Sequence, residues 1–471
     1  MMDIERDKAR EIWLKDKQHF LHPWTHFESF KKAGSLVIES GAGCYVHDIN
    51  GNRYLDGIGG LWCVNVGYGR EEIIEAIAHQ ARDLAFYNPF TDTTNIPASL
   101  LAERLTNLAP ENIDHVFFSL GGSTAIDTAF RLIQFYQNCR GKPEKRHMIS
   151  RREAYHGSTY IAMSLGGKKG DRVPEFEYKT DTIHHISCPN LYRRPNHMSE
   201  VQFCDSLVQE FETKIAEIGP QNVAAFFAEP IMGAGGVIVP PEGYLARLWE
   251  ICRTNDILFV ADEVVTAFGR LGEIFASQSV FGIKPDIITC AKGLTSGYQP
   301  LGATLLSKEI YDTISSDNPD RVFAHGFTYS GHPVACAAAL ENIDILEREK
   351  ICQYVRDDAG PYFIEKLSEL KDLPIVGDVR GMHFMACIEN VADKETKALF
   401  PDSVDVGKMI SDHAEKLGLI VRPIGHLNIL SPPLVMTREQ IDFAVDALRE
   451  SILRTVENLS KSGDYSSKAY V

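Results

Sequence analysis

The chain of 471 residues carries 48 basic and 64 acidic side chains, so its formal net charge is −16. Its length and its hydrophobic content of 44% allow a large buried core and exclude a small module held together by disulfides. The acidic balance argues against sequence-independent binding of nucleic acid or of an anionic membrane, because both require a positive field.

Neither a membrane span nor a secretory signal is evident. No apolar run approaches about 18 residues, and the start, MMDIERDKAREIW, lacks the apolar stretch of a signal peptide. The ten cysteines lie between Cys44 and Cys387 without a Cys-x-x-Cys pair, which is typical of reduced thiols rather than of disulfides or a zinc site. We therefore expect a cytoplasmic protein.

The first two regions in chain order differ in pattern. Residues 35–60 contain two alternating runs joined by Asn50-Gly51, a dipeptide that predicts a β-hairpin. From about residue 100 to residue 330, short apolar runs alternate with longer helix-like stretches. This alternation predicts an α/β fold with a mostly parallel sheet flanked by helices.

The C-terminal region, residues 375–460, again gives short strands and then a long amphipathic helix, which begins at a capping box of Thr437 and Gln440. Its apolar stripe contains Ile441, Ala444, Val445, Leu448 and Ile452. We expect a large domain over residues 81–334, and a smaller α+β domain assembled from residues 1–80 and 335–471.

Four predicted strands of the central region are apolar on both faces, as in a buried parallel sheet: HVFFSL, NVAAFFAEP, ILFVADEV and DIITCAK. Polar or glycine residues follow each of them directly, namely Gly121-Gly122-Ser123, Glu229, Asp262 and Lys292. Because open α/β sheets bind ligands beyond the carboxyl ends of their strands, we expect these four endings to form one site.

Several common motifs are absent. The sequence contains no G-x-x-x-x-G-K-[ST], G-x-G-x-x-G, H-E-x-x-H or G-x-S-x-G. His22 and His26 are four residues apart in HPWTHF, but no carboxylate adjoins them in that stretch. Packing or hydrogen bonding therefore explains them better than metal binding does.

The glycine pair before Ser123 indicates an anion site. The glycines let the backbone approach a ligand closely, and the free N–H groups of a helix start can hold a phosphate. A plain Ser N-cap is the alternative. Without a P-loop lysine or a dinucleotide fingerprint, a smaller phosphorylated cofactor fits better than a nucleotide.

Lys292 lies between an apolar strand and a glycine-rich loop, where its amine should be incompletely solvated. Desolvation lowers the pKa of a lysine and releases the neutral amine, which forms Schiff bases with carbonyls. Asp262 is either an N-cap or ion-pair partner, or the carboxylate that keeps a pyridine nitrogen protonated. Together with the phosphate site, these residues favour pyridoxal 5′-phosphate as the cofactor. The alternative for Lys292 is a solvated surface charge, as most lysines are.

Three stretches, FVADEVVTAFGR, PDIITCAKGLTSGYQPLGA and HGFTYSGHPVACAAAL, resemble the fold-type-I, class III PLP-dependent aminotransferases and, among them, the ω-amine:pyruvate transaminase group. The resemblance extends over nearly the whole chain. It implies that Lys292 carries the cofactor as a Schiff base and later shuttles a proton, and that Asp262 holds the ring nitrogen.

The resemblance also implies the remaining contacts with the cofactor: Val264 and Tyr155 on the two ring faces, His156 beside Tyr155, Gly122 and Ser123 at the phosphate, and Thr328 of the partner subunit. That last contact implies a homodimer, or a tetramer, with active sites at the interface.

The phosphate turn departs from the family pattern Ser-Gly-Ser-Glu-Ala-Asn-Asp, because residues 121–127 read GGSTAID. One hydroxyl and one carboxylate are missing, and we expect the backbone cradle to remain.

Substrate residues are implied in the same way. Arg422 in GLIVRPIG resembles the mobile arginine that clamps a carboxylate and moves aside for apolar amines, the alternative being a structural surface arginine. Glu229 resembles the carboxylate that pairs with this arginine when no acid is bound. Trp62 resembles an aromatic wall, and Tyr87 and Phe90 would reach in from the other subunit; core packing is the alternative for each aromatic residue.

The implied reaction is a ping-pong transamination that moves an amino group from a primary amine or an ω-amino acid to pyruvate and gives alanine. A PLP-dependent decarboxylase or aminomutase on the same scaffold is the alternative, and it would make no alanine from pyruvate. A third interpretation, a non-catalytic cofactor-binding protein, is disfavoured because Lys292 and Asp262 are both present. Arylalkyl amines, diamines, β-alanine and taurine all remain open as donors.

Overall fold

The computed structural model describes residues 2–315, 318 and 320–465. The strands, in chain order, are β1 (Ile38–Ala42), β2 (Tyr45–Asp48), β3 (Arg53–Asp56), β4 (Ile113–Ser119), β5 (His147–Arg151), β6 (Ile183–Ile186), β7 (Val223–Ala228), β8 (Leu258–Asp262), β9 (Ile287–Cys290), β10 (Gly302–Ser307), β11 (Val376–Met382), β12 (Met385–Asn390), β13 (Leu419–Ile420), β14 (Arg422–Ile424) and β15 (Leu427–Leu430).

The α-helices are α1 (Met2–His19), α2 (Phe27–Ala33), α3 (Gly59–Trp62), α4 (Glu71–Asp83), α5 (Ile96–Leu108), α6 (Gly122–Cys139), α7 (Tyr160–Leu165), α8 (Glu200–Ile218), α9 (Tyr244–Thr254), α10 (Ala276–Ser279), α11 (Lys308–Ile314), α12 (Pro333–Arg348), α13 (Ile351–Tyr354), α14 (Gly360–Ser368), α15 (Val406–Lys416) and α16 (Arg438–Ser462). Turns of 3₁₀-helix lie at Lys169–Asp171, Lys292–Leu294 and Glu369–Asp372, and a π-helical segment lies at Val355–Ala359. Of the helices in the described ranges, none has both the length and the apolar content needed to cross a membrane.

The central sheet has seven strands in the order β4-β10-β9-β8-β7-β5-β6. Neighbouring strands from β9 to β6 run parallel, whereas β10 is antiparallel to both β9 and β4. β4 therefore runs in the same direction as β9, and the carboxyl ends of β4, β7, β8 and β9 lie at one edge. The predicted α/β fold with a mostly parallel sheet is confirmed.

The strands nearest the site are buried on both faces. Every residue of β7, β8, β9 and β10 is buried, which explains why these segments are apolar without alternation. On one face, Ile126, Phe130 and Ile133 of α6 pack with Ala225 and Val260 of the sheet. Each large apolar side chain buried in this way contributes about 1.5–3 kcal/mol, so the core holds the strand ends in place.

Residues from both ends of the chain pair in a second sheet, of order β1-β2-β3-β13. β13 runs parallel to β3, with Leu419 opposite Leu55. The predicted hairpin joins β2 and β3: Gly51 has a φ of +82°, and the Asp48 carboxylate accepts a 2.9 Å hydrogen bond from the N–H of Asn50.

A third sheet, of order β11-β12-β15-β14, is antiparallel and begins its last strand at Arg422. Helix α16 starts after Thr437, whose side chain accepts a hydrogen bond from the N–H of Gln440 in the predicted capping box. All five residues of the predicted stripe on α16 are buried. Both features of the C-terminal helix are therefore confirmed.

Candidate active site

The four strand ends border one cavity of about 430 Å³. Most of the site residues expected from the sequence line it: Trp62, Gly122, Ser123, Tyr155, His156, Glu229, Asp262, Val264, Lys292 and Arg422. The fold thus brings residues at strand ends together with residues that are far from them along the chain.

Lys292 begins a turn of 3₁₀-helix directly after β9, with a φ of +44°. This left-handed backbone is strained for a lysine, and such strain is frequent at functional sites. The Nζ atom lies 5.8 Å from the centroid of the Trp62 ring. Burial lowers the pKa of Lys292; the charge of Asp262 opposes this shift and that of Arg422 adds to it. The neutral, nucleophilic amine is therefore more available than in a solvated lysine.

Asp262, the last residue of β8, is buried and held by several hydrogen bonds. Its Oδ2 is 2.7 Å from Nδ1 of His156, which is also buried. Its Oδ1 accepts a hydrogen bond of 3.1 Å from the N–H of Val264 and one of 3.4 Å from the Thr289 hydroxyl. The Ser150 hydroxyl lies 3.2 Å from Nε2 of His156. The carboxylate therefore has a fixed position, and His156 is its direct hydrogen-bonding partner.

The start of α6 forms a narrow cradle. A Cβ atom on Gly122 would lie 2.9 Å from Cγ1 of Val264, and one on Gly157 would lie 2.4 Å from Oγ of Ser123. The Ser123 hydroxyl accepts a hydrogen bond of 3.0 Å from the N–H of Ser158. Because the first N–H groups of a helix have no partner within it, they are available to an anion at this point.

The atypical phosphate turn is closed by its own side chains. The Thr124 hydroxyl accepts hydrogen bonds of 3.1 Å from the N–H groups of Leu120 and Gly121 and donates one of 2.9 Å to the carbonyl of Gly121. Asp127 accepts a hydrogen bond of 2.7 Å from the Thr159 hydroxyl. Thr124 thus stabilises the turn although the sequence departs from the family pattern.

Glu229 has partners other than the one expected. Its Oε1 accepts a hydrogen bond of 3.1 Å from the N–H of Tyr155, and its Oε2 accepts one of 2.8 Å from the N–H of Gly233. Burial raises its pKa. No ion pair within 4.0 Å joins this carboxylate to Arg422, so the expected pairing is not present in this arrangement. The two backbone N–H groups hold the carboxylate in its present orientation.

Arg422 lies at the outer part of the cavity with Pro423 and Ile424, on β14. Burial lowers its pKa, and the charge of Asp171 opposes the shift. Its guanidinium forms no hydrogen bond or ion pair with any residue that the structure describes. A cation of this kind is available to bind a carboxylate.

Three expected residues lie outside the cavity of this chain. Tyr87 and Phe90 are 50% and 49% exposed, and Thr328 is exposed as well. Phe90 and the loop before Thr328 share one surface, because a Cβ atom on Gly326 would lie 3.3 Å from the Phe90 ring. These residues were expected to act on a partner subunit, and none of the three lines the cavity of its own chain.

The cavity-lining residues that the sequence interpretation missed include Trp24, Lys168 and Asp171. The Trp24 ring lies 6.0 Å from the Tyr155 ring, edge to face. Lys168 and Asp171 form an ion pair of 3.3 Å. A tryptophan beside a proline was a detectable signal for Trp24, whereas the charged stretch around Lys168 resembles any solvated loop.

His22 takes part in a hydrogen-bond network rather than in a metal site. Its Nε2 lies 2.8 Å and 3.0 Å from the two carboxylate oxygens of Asp16, and the Ser35 hydroxyl donates to the same carboxylate at 2.6 Å. The described part of the chain contains no group of three or more side chains suited to a metal ion. The network instead anchors the turn that carries Trp24.

Comparison with known proteins gives the same family from sequence and from structure. The family model described as aminotransferase class III matches residues 29–452. The chain is 44% identical to a putrescine–pyruvate aminotransferase of Pseudomonas aeruginosa, over 96% of this chain and 98% of that protein. It superposes with a TM-score of 0.92 on a thermostable (S)-enantioselective omega-transaminase from Thermomicrobium roseum, with 40% identity and coverage of 95% of this chain and 99% of that one. The chain belongs to the class III aminotransferase family.

A third relative bears on the cofactor. The omega transaminase of Pseudomonas jessenii, solved in complex with PMP, superposes with a TM-score of 0.92 at 37% identity, over 95% of this chain and 99% of that one. The cavity provides what such a cofactor needs: an amine of lowered pKa at Lys292, a buried carboxylate at Asp262, and a helix start that a Cβ on Gly122 would obstruct. The cofactor of this aminotransferase is pyridoxal 5′-phosphate.

Proposed function

We propose that this aminotransferase moves an amino group from a primary amine or an ω-amino acid to pyruvate and releases alanine. One observation carries the proposal: the cavity that contains Lys292 and Asp262 also contains Arg422, a cation that no described residue pairs with. Such a cavity has a reactive amine at its inner end and a carboxylate-binding group at its outer end. A keto acid needs both.

The residues that would hold the cofactor are those of the inner cavity. The start of α6, with Gly122 and Ser123, would bind the phosphate, and Asp262 would face the ring nitrogen. Val264, Tyr155 and His156 complete the proposed set. When bound, the cofactor supplies a carbonyl that condenses with primary amines and a protonated ring that withdraws electrons from the substrate carbon.

The protein contributes proton transfer and charge stabilisation. The Nζ atom of Lys292, whose pKa is lowered by burial, would accept the proton from the substrate carbon and return it on the other side of the reaction. Asp262, fixed by His156 at 2.7 Å, would maintain the positive charge on the ring nitrogen. The two substrates would use the cavity in turn, in a ping-pong order.

Substrate selection would take place at the outer end. Arg422 would bind the carboxylate of pyruvate in a bidentate manner. Trp62 and Ile231 line the same cavity and would accommodate the apolar part of an amine. Glu229 would shape the pocket by holding the Tyr155 backbone.

A homodimer is part of the proposal. Tyr87, Phe90 and Thr328 are exposed, Phe90 lies near the loop before Thr328, and large exposed aromatic side chains are typical of interfaces. In a dimer, Phe90 and Tyr87 would reach the neighbouring cavity, and Thr328 of the partner subunit would complete the phosphate site. A tetramer built from such dimers is compatible with the same contact.

We propose a domain division at residues 80 and 334 because β3 pairs with β13, and this pairing joins the two ends of the chain in one sheet. The large domain would provide Lys292 and Asp262, and the smaller one Trp62 and Arg422. The cytoplasmic location stays a prediction.

The decisive test is alanine formation. Purified protein with pyridoxal phosphate is mixed with pyruvate and putrescine, the amine named in the Pseudomonas aeruginosa relative, and then with benzylamine and β-alanine. The proposal predicts alanine with at least one donor and none with Lys292→Ala. If the wild type shows the cofactor's yellow band but makes no alanine across the panel, a decarboxylase or an aminomutase is the better assignment.

A further inference from the structure

Arg422 needs a counter-charge whenever the cavity holds an amine without a carboxylate. Its guanidinium is half-buried, and burial of a cation without an anion is costly. During the amine half of the reaction, a free guanidinium would also repel the ammonium form of the donor. The protein therefore needs an acidic side chain near Arg422 that can pair with the guanidinium when no keto acid is bound.

Three acidic residues line the cavity, and two of them already have fixed partners. Asp262 binds His156 and the backbone of Val264, and Glu229 accepts two backbone N–H groups. Those hydrogen bonds hold both carboxylates in place, so neither is suited to exchange partners as Arg422 moves. The remaining acid is Asp171.

Asp171 is suited to exchange partners. It ends a turn of 3₁₀-helix, it lines the same cavity as Arg422, and its ionic partner is Lys168 at 3.3 Å. The two side chains of this pair are 18% and 19% exposed, so Lys168 can turn to water when Asp171 is engaged elsewhere.

We propose that Asp171 is a positioning residue that draws Arg422 out of the substrate space when no carboxylate is bound, and that Lys168 competes with Arg422 for it. This role rests on the proposed function. With pyruvate bound, Arg422 pairs with the carboxylate and Asp171 pairs with Lys168. With an amine bound, Arg422 pairs with Asp171 and Lys168 is solvated. In each state Asp171 has one cationic partner, and the cation that it does not bind is paired with the substrate carboxylate or solvated.

The exchange predicts opposite effects for the two partners. Asp171→Asn destabilises the withdrawn state of Arg422, so the KM for pyruvate should fall and the KM for benzylamine should rise, each about two- to fivefold. Lys168→Gln frees Asp171 for Arg422, so both values should move in the reverse direction. Asp171→Glu should restore wild-type values in part.

The experiment is a double-mutant cycle on the holoenzyme. KM for benzylamine and for pyruvate is measured in Asp171→Asn, in Arg422→Ala and in the combined variant, and calorimetry gives the dissociation constant of propionate, an unreactive carboxylate. If Asp171 acts through Arg422, its effect on benzylamine disappears when Arg422 is absent. Asp181→Asn, at the exposed Lys179–Asp181 pair, is the matched control and should shift neither value.

The outcomes separate this role from the function on which it rests. A wild type that makes no alanine from pyruvate overturns the proposed function, and the Asp171 role with it. If the wild type is active but Asp171→Asn still changes the KM for benzylamine in the absence of Arg422, only the Asp171 role is overturned. The change in KM would then come from the long-range field of Asp171 and not from a pairing with Arg422. KM shifts of the same sign in Asp171→Asn and Lys168→Gln also overturn the Asp171 role. If either variant turns over too poorly for a KM to be measured, its dissociation constant for propionate is compared instead.

Discussion

The inner and outer ends of the cavity are built differently. At the inner end, Asp262 and His156 are buried, joined at 2.7 Å and carried on the sheet or directly after it. At the outer end, Lys168, Asp171 and Trp24 lie in loops and turns, with an ion pair of 3.3 Å and a ring contact of 6.0 Å. The difference indicates that the reaction chemistry needs one fixed geometry, whereas the acceptance of two unlike substrates needs side chains that can exchange partners.

The largest effect should come from the inner end. Lys292→Ala removes the amine that would bind the cofactor and move the proton, so turnover should fall roughly 10³-fold or more. The yellow band should also disappear, and borohydride reduction of the wild type followed by peptide mapping should find the pyridoxyl group on Lys292. Lys366→Ala, at a partly exposed lysine of α14, is the control. A pyridoxyl group on another residue would remove the basis of the proposed mechanism.

A change at the outer end should divide the two half-reactions. Arg422→Ala removes a charge-assisted, bidentate contact worth about 1.5–3 kcal/mol, so the KM for pyruvate should rise roughly 10- to 100-fold. The half-reaction with benzylamine should change little, because that amine has no carboxylate. Stopped-flow spectra of the two half-reactions measure the difference, and equal losses in both would contradict the carboxylate clamp.

The two ends should also shift the titration of Lys292 in opposite directions. Burial lowers the pKa of Lys292, so its neutral form grows as pH rises and reaches its maximum below the usual lysine range. The charge of Asp262 raises this pKa and that of Arg422 lowers it. The rate at which the apoenzyme binds pyridoxal phosphate should therefore inflect at lower pH in Asp262→Asn and at higher pH in Arg422→Ala. Identical inflections in all three proteins would show that neither charge reaches Lys292.

The smallest effect is expected at the mouth of the cavity. Trp24→Ala removes an edge-to-face contact with Tyr155, which is worth about 0.5–1.5 kcal/mol. The KM for benzylamine should rise a few-fold while the KM for pyruvate stays nearly constant. Leu21→Ala, a more exposed residue three positions earlier, is the control. If both variants behave alike, Trp24 is part of a passive surface.

Much of the inner site was predictable because its signals are local. A buried parallel strand is apolar on both faces, and the polar residue that follows it must lie at the sheet edge. Lys292, Asp262 and the glycines before α6 could be found in this way without any contact information. The hairpin at Gly51 and the capping box at Thr437 were predictable for the same reason, since each depends on a few consecutive residues.

The outer site was less predictable because its signals are not local. Arg422 was identified only because the sequence around it resembles a known family. The same resemblance predicted Glu229 as its partner, but in the structure the Glu229 oxygens accept hydrogen bonds from the N–H groups of Tyr155 and Gly233. Nothing in the stretch around Asp171 distinguishes it from a solvated loop. It lines one cavity with Arg422 only because the fold brings two segments that are remote along the chain together.

The amino-acid sequence by itself determined the α/β sheet, the residues at its strand ends and, through them, the cofactor, because burial imposes a pattern that each strand carries within its own few residues. Only the tertiary structure decided which charges face one another across the cavity. Partner choice depends on distances between segments that are remote along the chain, and it also depends on whether a carboxylate such as Glu229 already has its hydrogen bonds from nearby backbone.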